Sequence, residues 1–294
     1  MSRRTQLFLL RHHNGGRLYN ISPLAKKFGP WSISKAGVAE TCPAQFKHKY
    51  ILKTVEESVP SANTVGTHAH AILEYRLGGM LDVDARRRAA DKTPLTSTEK
   101  EDLRAFDDAI DVFIREWGVF CTNNRIKKVL LEAEWAFTAE FKRTGFFSSD
   151  VYFRGKVDLA ALTPDNDLIV LDHKSGVSQD INGRYGSKFK KQLWSYAVMA
   201  LANIDGMAGV RAGINFLQGD RFPRRQWLDY IESPRIHKLF TPWLYETLND
   251  AAERLVEPFP AKPKLRWPCE WCSYRPSCPD YQAMVEESTS GSQI

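Results

Sequence analysis

Three thiols share one short loop in Cys269-Glu-Trp-Cys272-Ser-Tyr-Arg-Pro-Ser-Cys278, and a fourth stands far upstream at Cys42. The loop cysteines, with two and five residues between them, can converge on one metal centre, an arrangement that helix packing gives no reason for. If Cys42 completes the set, the chain must fold with its N-terminal and C-terminal parts tied together. Four thiolates suit either Zn2+ or an iron–sulfur cluster. Zinc sites usually pair two cysteine knuckles, and a lone cysteine plus a group of three does not decide between them. Cys121, alone in Trp117-Gly-Val-Phe-Cys121, reads as a small core residue.

Five cysteines, an odd number in 294 residues, argue against a secreted disulfide scaffold and for metal-ligating thiols in a reducing compartment. No apolar stretch approaches the ~18 residues that span a bilayer. Leu7 to Leu10 is too short for a signal-peptide core, and Arg11-His12-His13 ends it. The expected location is therefore the cytoplasm. Hydrophobic content of 43% and charged content of 26% are ordinary for a globular protein. A net charge of +6 and a pI near 9.0 lean towards an anionic partner such as nucleic acid.

Residues 1–30, with Gly15-Gly16, Pro23 and Gly29-Pro30, read as a loosely structured extension. Ser32 is placed to cap a helix over Val38 to Cys42. Apolar residues recur at helical spacing over 66–77 and 99–117, joined by a polar connection over 86–94. The texture then changes to strands over 129–141, 151–162 and 168–173, the last two separated by the turn Thr163-Pro-Asp-Asn-Asp167. A helix over 189–202, a strand over 210–217 and a helix over 241–256 follow, then a Pro-rich loop to 279 that carries the cysteines. The chain is expected to end in a disordered polar tail. These elements predict one α/β domain over 31–280, flanked by the extension and a tail over 281–294.

Asp158 in Arg154-Gly-Lys-Val-Asp158 and Asp172 in Val170-Leu-Asp172-His-Lys174 can approach each other if the two runs are paired strands. Asp172 and Lys174 share a strand face, with His173 opposite. Two carboxylates suit Mg2+ or Mn2+, and a lysine beside them can orient a nucleophile or meet charge on phosphate. Asp-x-Lys alone is more often a solvated ion pair at a strand end. The residues around it reverse that balance.

Gly155-Lys-Val-Asp158 followed by Val170-Leu-Asp172-His-Lys174-Ser-Gly176 resembles the PD-(D/E)XK nuclease core, in its RecB-like exonuclease branch. Gly66-Thr-His-Ala-His70-Ala-Ile-Leu-Glu74 resembles that branch's upstream motif, and Gln192-Leu-Trp-Ser-Tyr196-Ala its downstream helix. Cys42 with the Cys269, Cys272 and Cys278 loop resembles the iron–sulfur subset, which includes CRISPR-adaptation exonucleases and AddB-type helicase–nuclease subunits. The resemblance covers roughly residues 31 to 280. It implies a restriction-endonuclease-like α/β core, a central mixed sheet flanked by helices, with a helical insertion and a cluster clasp joining the chain's two ends. It also implies His70, Asp158, Asp172 and the His173 backbone carbonyl as ligands of Mg2+ or Mn2+. Lys174 would be the catalytic lysine, with Gln192 and Tyr196 positioning it and the DNA strand. His70 fits the motif's spacing better than His68. The third-motif acid is Asp172, where the wider superfamily more often has Glu.

On the same resemblance the four cysteines hold a [4Fe–4S] cluster in preference to Zn2+, in a structural role. Lys188, Lys190 and Lys191 are candidate DNA contacts, with Arg184, Lys47, Lys49 and Arg224-Arg225 as further cations. Glu74, Glu132 and Glu134 read as helix- or strand-face acids, and Trp194 as packed against the sheet rather than stacked on a base. The expected function is a metal-dependent DNA exonuclease acting at single-stranded ends, in recombination, repair, phage replication or CRISPR adaptation. A recombination, helicase or CRISPR-adaptation protein is a possible partner. The competing expectation is a non-catalytic subunit that binds DNA ends and keeps the cluster.

Overall fold

The computed structural model describes residues 19–54, 61–92, 94–183, 186–219, 223–264 and 269–290. Arg184 and most of residues 1–30 therefore lie outside the described residues. Short helices α1 (Pro23–Lys27), α2 (Ile33–Thr41) and α3 (Pro43–Phe46) open the chain, the last running into a π-turn over Lys47–Leu52. Ser32 caps α2 by accepting from Lys35 N, as its position before the helix suggests. Four helices follow: α4 (Ser61–Leu77), α5 (Asp82–Lys92), α6 (Ser97–Arg104) and α7 (Asp107–Asn123). Helix α5 replaces the connection expected over 86–94. It is held by the Arg86–Asp82 and Arg86–Asp107 ion pairs and by the burial of only Ala85 and Ala89, so it carries little apolar periodicity.

Strands β1 (Lys128–Thr138), β2 (Val151–Leu162) and β3 (Asp167–Val177) form an antiparallel meander. Helix α8 (Ser187–Asn203) then crosses to β4 (Gly209–Gln218), which lies parallel to β3. Short strands β5 (Arg225–Trp227) and β6 (Ile231–Glu232) both pair with β4. The one-turn helix α9 (Ser233–Arg235) and helix α10 (Thr241–Glu253) follow, and helix α11 (Pro279–Ser290) ends the described chain. Residues 281–290, expected to be disordered, are thus helical. The product is a mixed sheet between two helical layers, the α/β arrangement that the resemblance implies.

Each layer closes its own apolar core. On one face α8 and α10 bury Leu193, Val198, Leu244 and Leu248 against Phe137, Phe153 and Val170. On the other, α4 and α7 bury Ile72, Leu73, Ile110 and Phe113 against Leu159 and Leu171. Full burial of side chains of this size stabilises by about 1.5–3 kcal/mol each before the entropy of ordering them.

Two irregularities shape the sheet's centre. Val157 and Leu159 are two apart and would share a face of a regular strand, yet Val157 joins the first core and Leu159 the second. On β1, Ala133 and Leu131 divide in the same way. The roll falls on the one facing pair between them, Glu132 and Asp158, bracketed by Leu131↔Leu159 and Ala133↔Val157. Glu132 takes φ of 50°, a left-handed conformation costly for a residue with a side chain.

The second irregularity is a fork. Pairing of β2 with β3 runs only through Leu159↔Leu171 to Leu162↔Leu168. Beyond it β3 stays with β4, while Trp31 takes over the edge of β2, donating to Tyr152 O at 2.8 Å and accepting from Arg154 N at 2.9 Å. Asp158 and Asp172 are the first residues past the parting.

Candidate active site

The fork lets groups from both helical layers meet. Asp158 reaches across it, one carboxylate oxygen accepting the His173 backbone N–H at 2.7 Å. Asp172, 2% exposed, turns towards α8. Its Oδ1 accepts from Gln192 Nε2 at 2.7 Å and from Tyr196 OH at 2.8 Å. Gln192 and Tyr196 stand four apart on one helical face and are themselves bonded at 2.7 Å. Asp172 Oδ2 accepts no well-directed hydrogen bond and meets the Lys174 ammonium at 2.6 Å.

From the opposite layer, α4 brings His70, whose Nδ1 lies 3.7 Å from Asp158 Oδ2. His68 is buried and turned to its own helix, with Nδ1 3.0 Å from the Thr64 carbonyl. The helix can come this close because residue 66 is glycine: a Cβ there would sit 2.5 Å from Ser175 Oγ at the end of β3. Gly66 thereby sets how near His70 stands to the strands, one turn further along.

Burial drives the electrostatics. The Asp158 carboxyl is held well above the usual carboxylate range by desolvation, reinforced by the neighbouring Asp172 charge and opposed by the His173 N–H. Desolvation also lowers the pKa of His70, leaving a neutral imidazole with a lone pair to give. The buried Asp172, the part-buried Asp158 and a neutral imidazole form a donor set suited to a hard divalent cation. Among the described residues, no three His, Cys, Asp or Glu side chains already close on a point fit to hold a metal ion.

His173 projects its ring into the other layer, edge-on to Phe113 at 4.9 Å and 3.2 Å from Asn215 Nδ2. Glu132 faces the fork from β1 and pairs with Lys156 rather than standing on a solvated face. No local sequence signal announces it, since a left-handed residue inside a strand is not encoded by residue type. Glu74 lies near both, its pKa raised by desolvation and then by Glu132. Trp194 packs against the first core and also meets Phe240 and Trp243, at 5.1 and 5.4 Å.

A groove of about 530 Å3 between α2 and the start of α8 opens beside Gln192 and is lined by Lys188 and Lys191. Lys191 is paired there with Glu40 at 3.0 Å, while Lys190 reaches the Asn182 carbonyl at 3.4 Å, outside the groove lining. Arg225 is committed to Glu116 and to the Phe113 ring, a structural placement instead of a free cation.

Cys42 sits at the junction of α2 and α3, and Cys269, Cys272 and Cys278 lie in the loop before α11. All four are free thiols and line a single pocket with Tyr274 and Tyr281. Desolvation raises the pKa of Cys272 and Cys278, and the neighbouring cysteines add to it. Lys264 N donates to Cys269 Sγ at 3.3 Å.

A family profile described as the PD-(D/E)XK nuclease superfamily matches residues 30–279. No curated protein matches the chain. Solved structures with a similar course of chain include SSO0001, 12% identical, covering 95% of this chain and 94% of that one with a TM-score of 0.38. A protein from Eubacterium rectale that its name assigns as an exonuclease is also 12% identical, covering 80% of this chain and 85% of that one with a TM-score of 0.49. Both likenesses are too distant to bear on function.

Proposed function

This chain belongs to the PD-(D/E)XK nuclease superfamily, and from that premise we propose that it is a divalent-metal-dependent DNA exonuclease cutting at single-stranded ends. The observation that carries the reading is the state of Asp172. Gln192 and Tyr196 saturate one carboxylate oxygen and leave the other, buried, to the Lys174 ammonium alone. His70, Asp158, Asp172 and the His173 carbonyl would hold Mg2+ or Mn2+ there. Such an ion activates water and neutralises charge on phosphate.

The chain's own groups divide the remaining tasks. Gln192 and Tyr196 fix the Asp172 rotamer and so the direction of its second oxygen. Lys174, 2.6 Å from that oxygen and a third exposed, is placed to orient the attacking water and to meet charge on the scissile phosphate. Neutral His70 gives its lone pair without losing a proton first. Lys188 and Lys191 in the adjoining groove, with Lys190 nearby, would grip the strand's phosphates.

The four cysteines are assigned to a [4Fe–4S] cluster with a structural role. Their lining of one shared pocket supports a common metal group, and the choice of a cluster over Zn2+ rests on the resemblance to the iron–sulfur subset. No helix among the described residues is long and apolar enough to cross a membrane. The proposed setting is DNA recombination, repair, phage replication or CRISPR adaptation, beside a protein partner of those systems.

The test is cleavage of end-labelled single-stranded DNA by anaerobically purified protein with Mg2+ or Mn2+, beside Asp172→Ala and Lys174→Ala. Metal-dependent shortening from the ends, lost in both variants, is expected. DNA binding without cleavage, with all four cysteines loaded, would replace the reading with a non-catalytic end-binding subunit.

A further inference from the structure

The β1–β2 hairpin ends in a loop, residues 139–150, that the proposed chemistry does not use. Phe147 at its tip is 81% exposed. A lone exposed aromatic is unremarkable, but this one is propped. Phe146 meets it edge-on, with centroids 5.0 Å apart and planes at 80°. The Arg154 guanidinium lies 5.0 and 5.6 Å from the two ring centres and donates to the Phe146 carbonyl at 2.9 Å. Thr144 closes the loop, its hydroxyl donating to Asp150 at 2.7 Å and its backbone N–H to Ala136 O at 3.2 Å. Ser148 N–H adds a bond to Gly145 O at 3.0 Å. The ring is thus held out in water by a pre-formed turn, with exposed Lys142 and Arg143 on the same loop. Glu140 and Asp150 are the acids there, and Asp150 is engaged by Thr144.

The strand that carries Arg154 also carries the candidate metal ligand. Arg154 and Lys156 occupy one face of β2 and lead towards Asp158 in two-residue steps of roughly 6.6 Å. Successive phosphates of an extended single strand are spaced comparably. A strand with one phosphate at the fork would therefore bring a base two or three nucleotides away to the hairpin tip.

We propose that Phe147, propped by Phe146 and Arg154, is a stacking platform for an unpaired base of the DNA strand whose phosphate lies at the Asp158–Asp172 fork. The inference rests on the reading of that fork as a DNA-cleaving centre. Stacking on one aromatic face is tolerant of base identity, and the guanidinium beside it adds attraction to both the ring and the phosphate. The occupant is a single strand, because bases within a duplex stack on one another and offer no free face.

The test measures two things for the wild-type chain, Phe147→Ala and Phe147→Trp. One is the affinity for a fluorescein-labelled thymidine oligonucleotide without divalent metal, so that no strand is cut. The other is Mn2+-dependent hydrolysis of bis(p-nitrophenyl) phosphate, which is too small to reach the loop. Phe147→Ala should bind the oligonucleotide about tenfold more weakly, Phe147→Trp should bind as wild type does, and all three should hydrolyse the small ester alike. Equal oligonucleotide affinity in Phe147→Ala, or no binding by the wild-type chain, overturns the platform. A parallel fall in ester hydrolysis also overturns it, by assigning the ring a structural role. If the binding pattern holds while the wild-type chain cleaves neither ester nor DNA, the platform stands and the nuclease reading falls.

Discussion

The fork between β2 and β3 and the pocket of four cysteines are both candidate metal centres, and they are built in opposite ways. The side chains at the fork come from strands or long helices, and its two carboxylates have partners that fix them: Gln192 and Tyr196 on Asp172, and His173 N–H on Asp158. The cysteines come from a helix junction and a loop of single 3-10 turns, more than two hundred residues apart in the chain. The fork is organised by the fold in advance. The cysteine pocket brings together thiols from distant parts of the chain. On the proposed function the fork is the place for chemistry, and the pocket the place where ligand binding becomes folding energy.

The two can be separated by substitution. Asp172→Ala and Lys174→Ala should each lower Mn2+-dependent DNA cleavage by about a thousandfold or more, with a melting temperature close to wild type. Cys278→Ala should do the reverse. It should lose the visible absorbance of the proposed cluster and up to about 5.5 kcal/mol of stability, the scale of closing so long a loop. A colourless wild-type protein that retains one zinc would reassign the clasp without touching the fork.

Smaller changes probe the fork's preorganisation. Tyr196→Phe leaves Asp172 Oδ1 with Gln192 alone, and an outer-shell loss of that kind costs roughly 10–100-fold in metal affinity or activity. Gly66→Ala forces a Cβ against Ser175 and should cost about 1–3 kcal/mol, with weaker metal binding as α4 is pushed from β3. Adding Ser175→Gly should restore both, and failure to do so would mean that Gly66 acts through something other than close approach.

The smallest effect is a pH slope. Asp158 keeps its proton to higher pH when folded than when unfolded, where carboxylates titrate near pH 4. Its contribution to stability is thus present at low pH and is lost as pH rises through its raised folded value. Without metal, the melting temperature should fall from pH 5 to pH 8 more steeply in wild type than in Asp158→Asn. Saturating Mn2+ should flatten the wild-type slope.

The long strands and helices from β1 to α10 were legible because each repeats at its own period and the turn Thr163 to Asp167 is unambiguous, whereas the short β5, β6 and α9 are too brief to show a period. The Asp158, Asp172 and Lys174 grouping followed from the same pairing. Helix α5 was hidden because charge pairs and two alanines hold it in place of an apolar stripe. The contact of Trp194 with Trp243 on the later helix α10 was not legible, since no local pattern reveals it. Glu132 was passed over for a deeper reason. Its place beside Asp158 depends on a roll of two strands and a left-handed backbone, and neither is written in residue type. Nor does a local pattern reveal that Trp31, far away in sequence, pairs with β2 past the fork, where β3 no longer does.

The most direct test of the fork as a metal centre is a Mn2+ titration followed by electron paramagnetic resonance, on wild-type protein and on His70→Ala, Asp158→Asn and Asp172→Asn. A tight Mn2+ site in the wild type, lost or strongly weakened in all three variants while Cys278→Ala retains it, is the predicted result. Unchanged Mn2+ binding in the three fork variants would contradict the account.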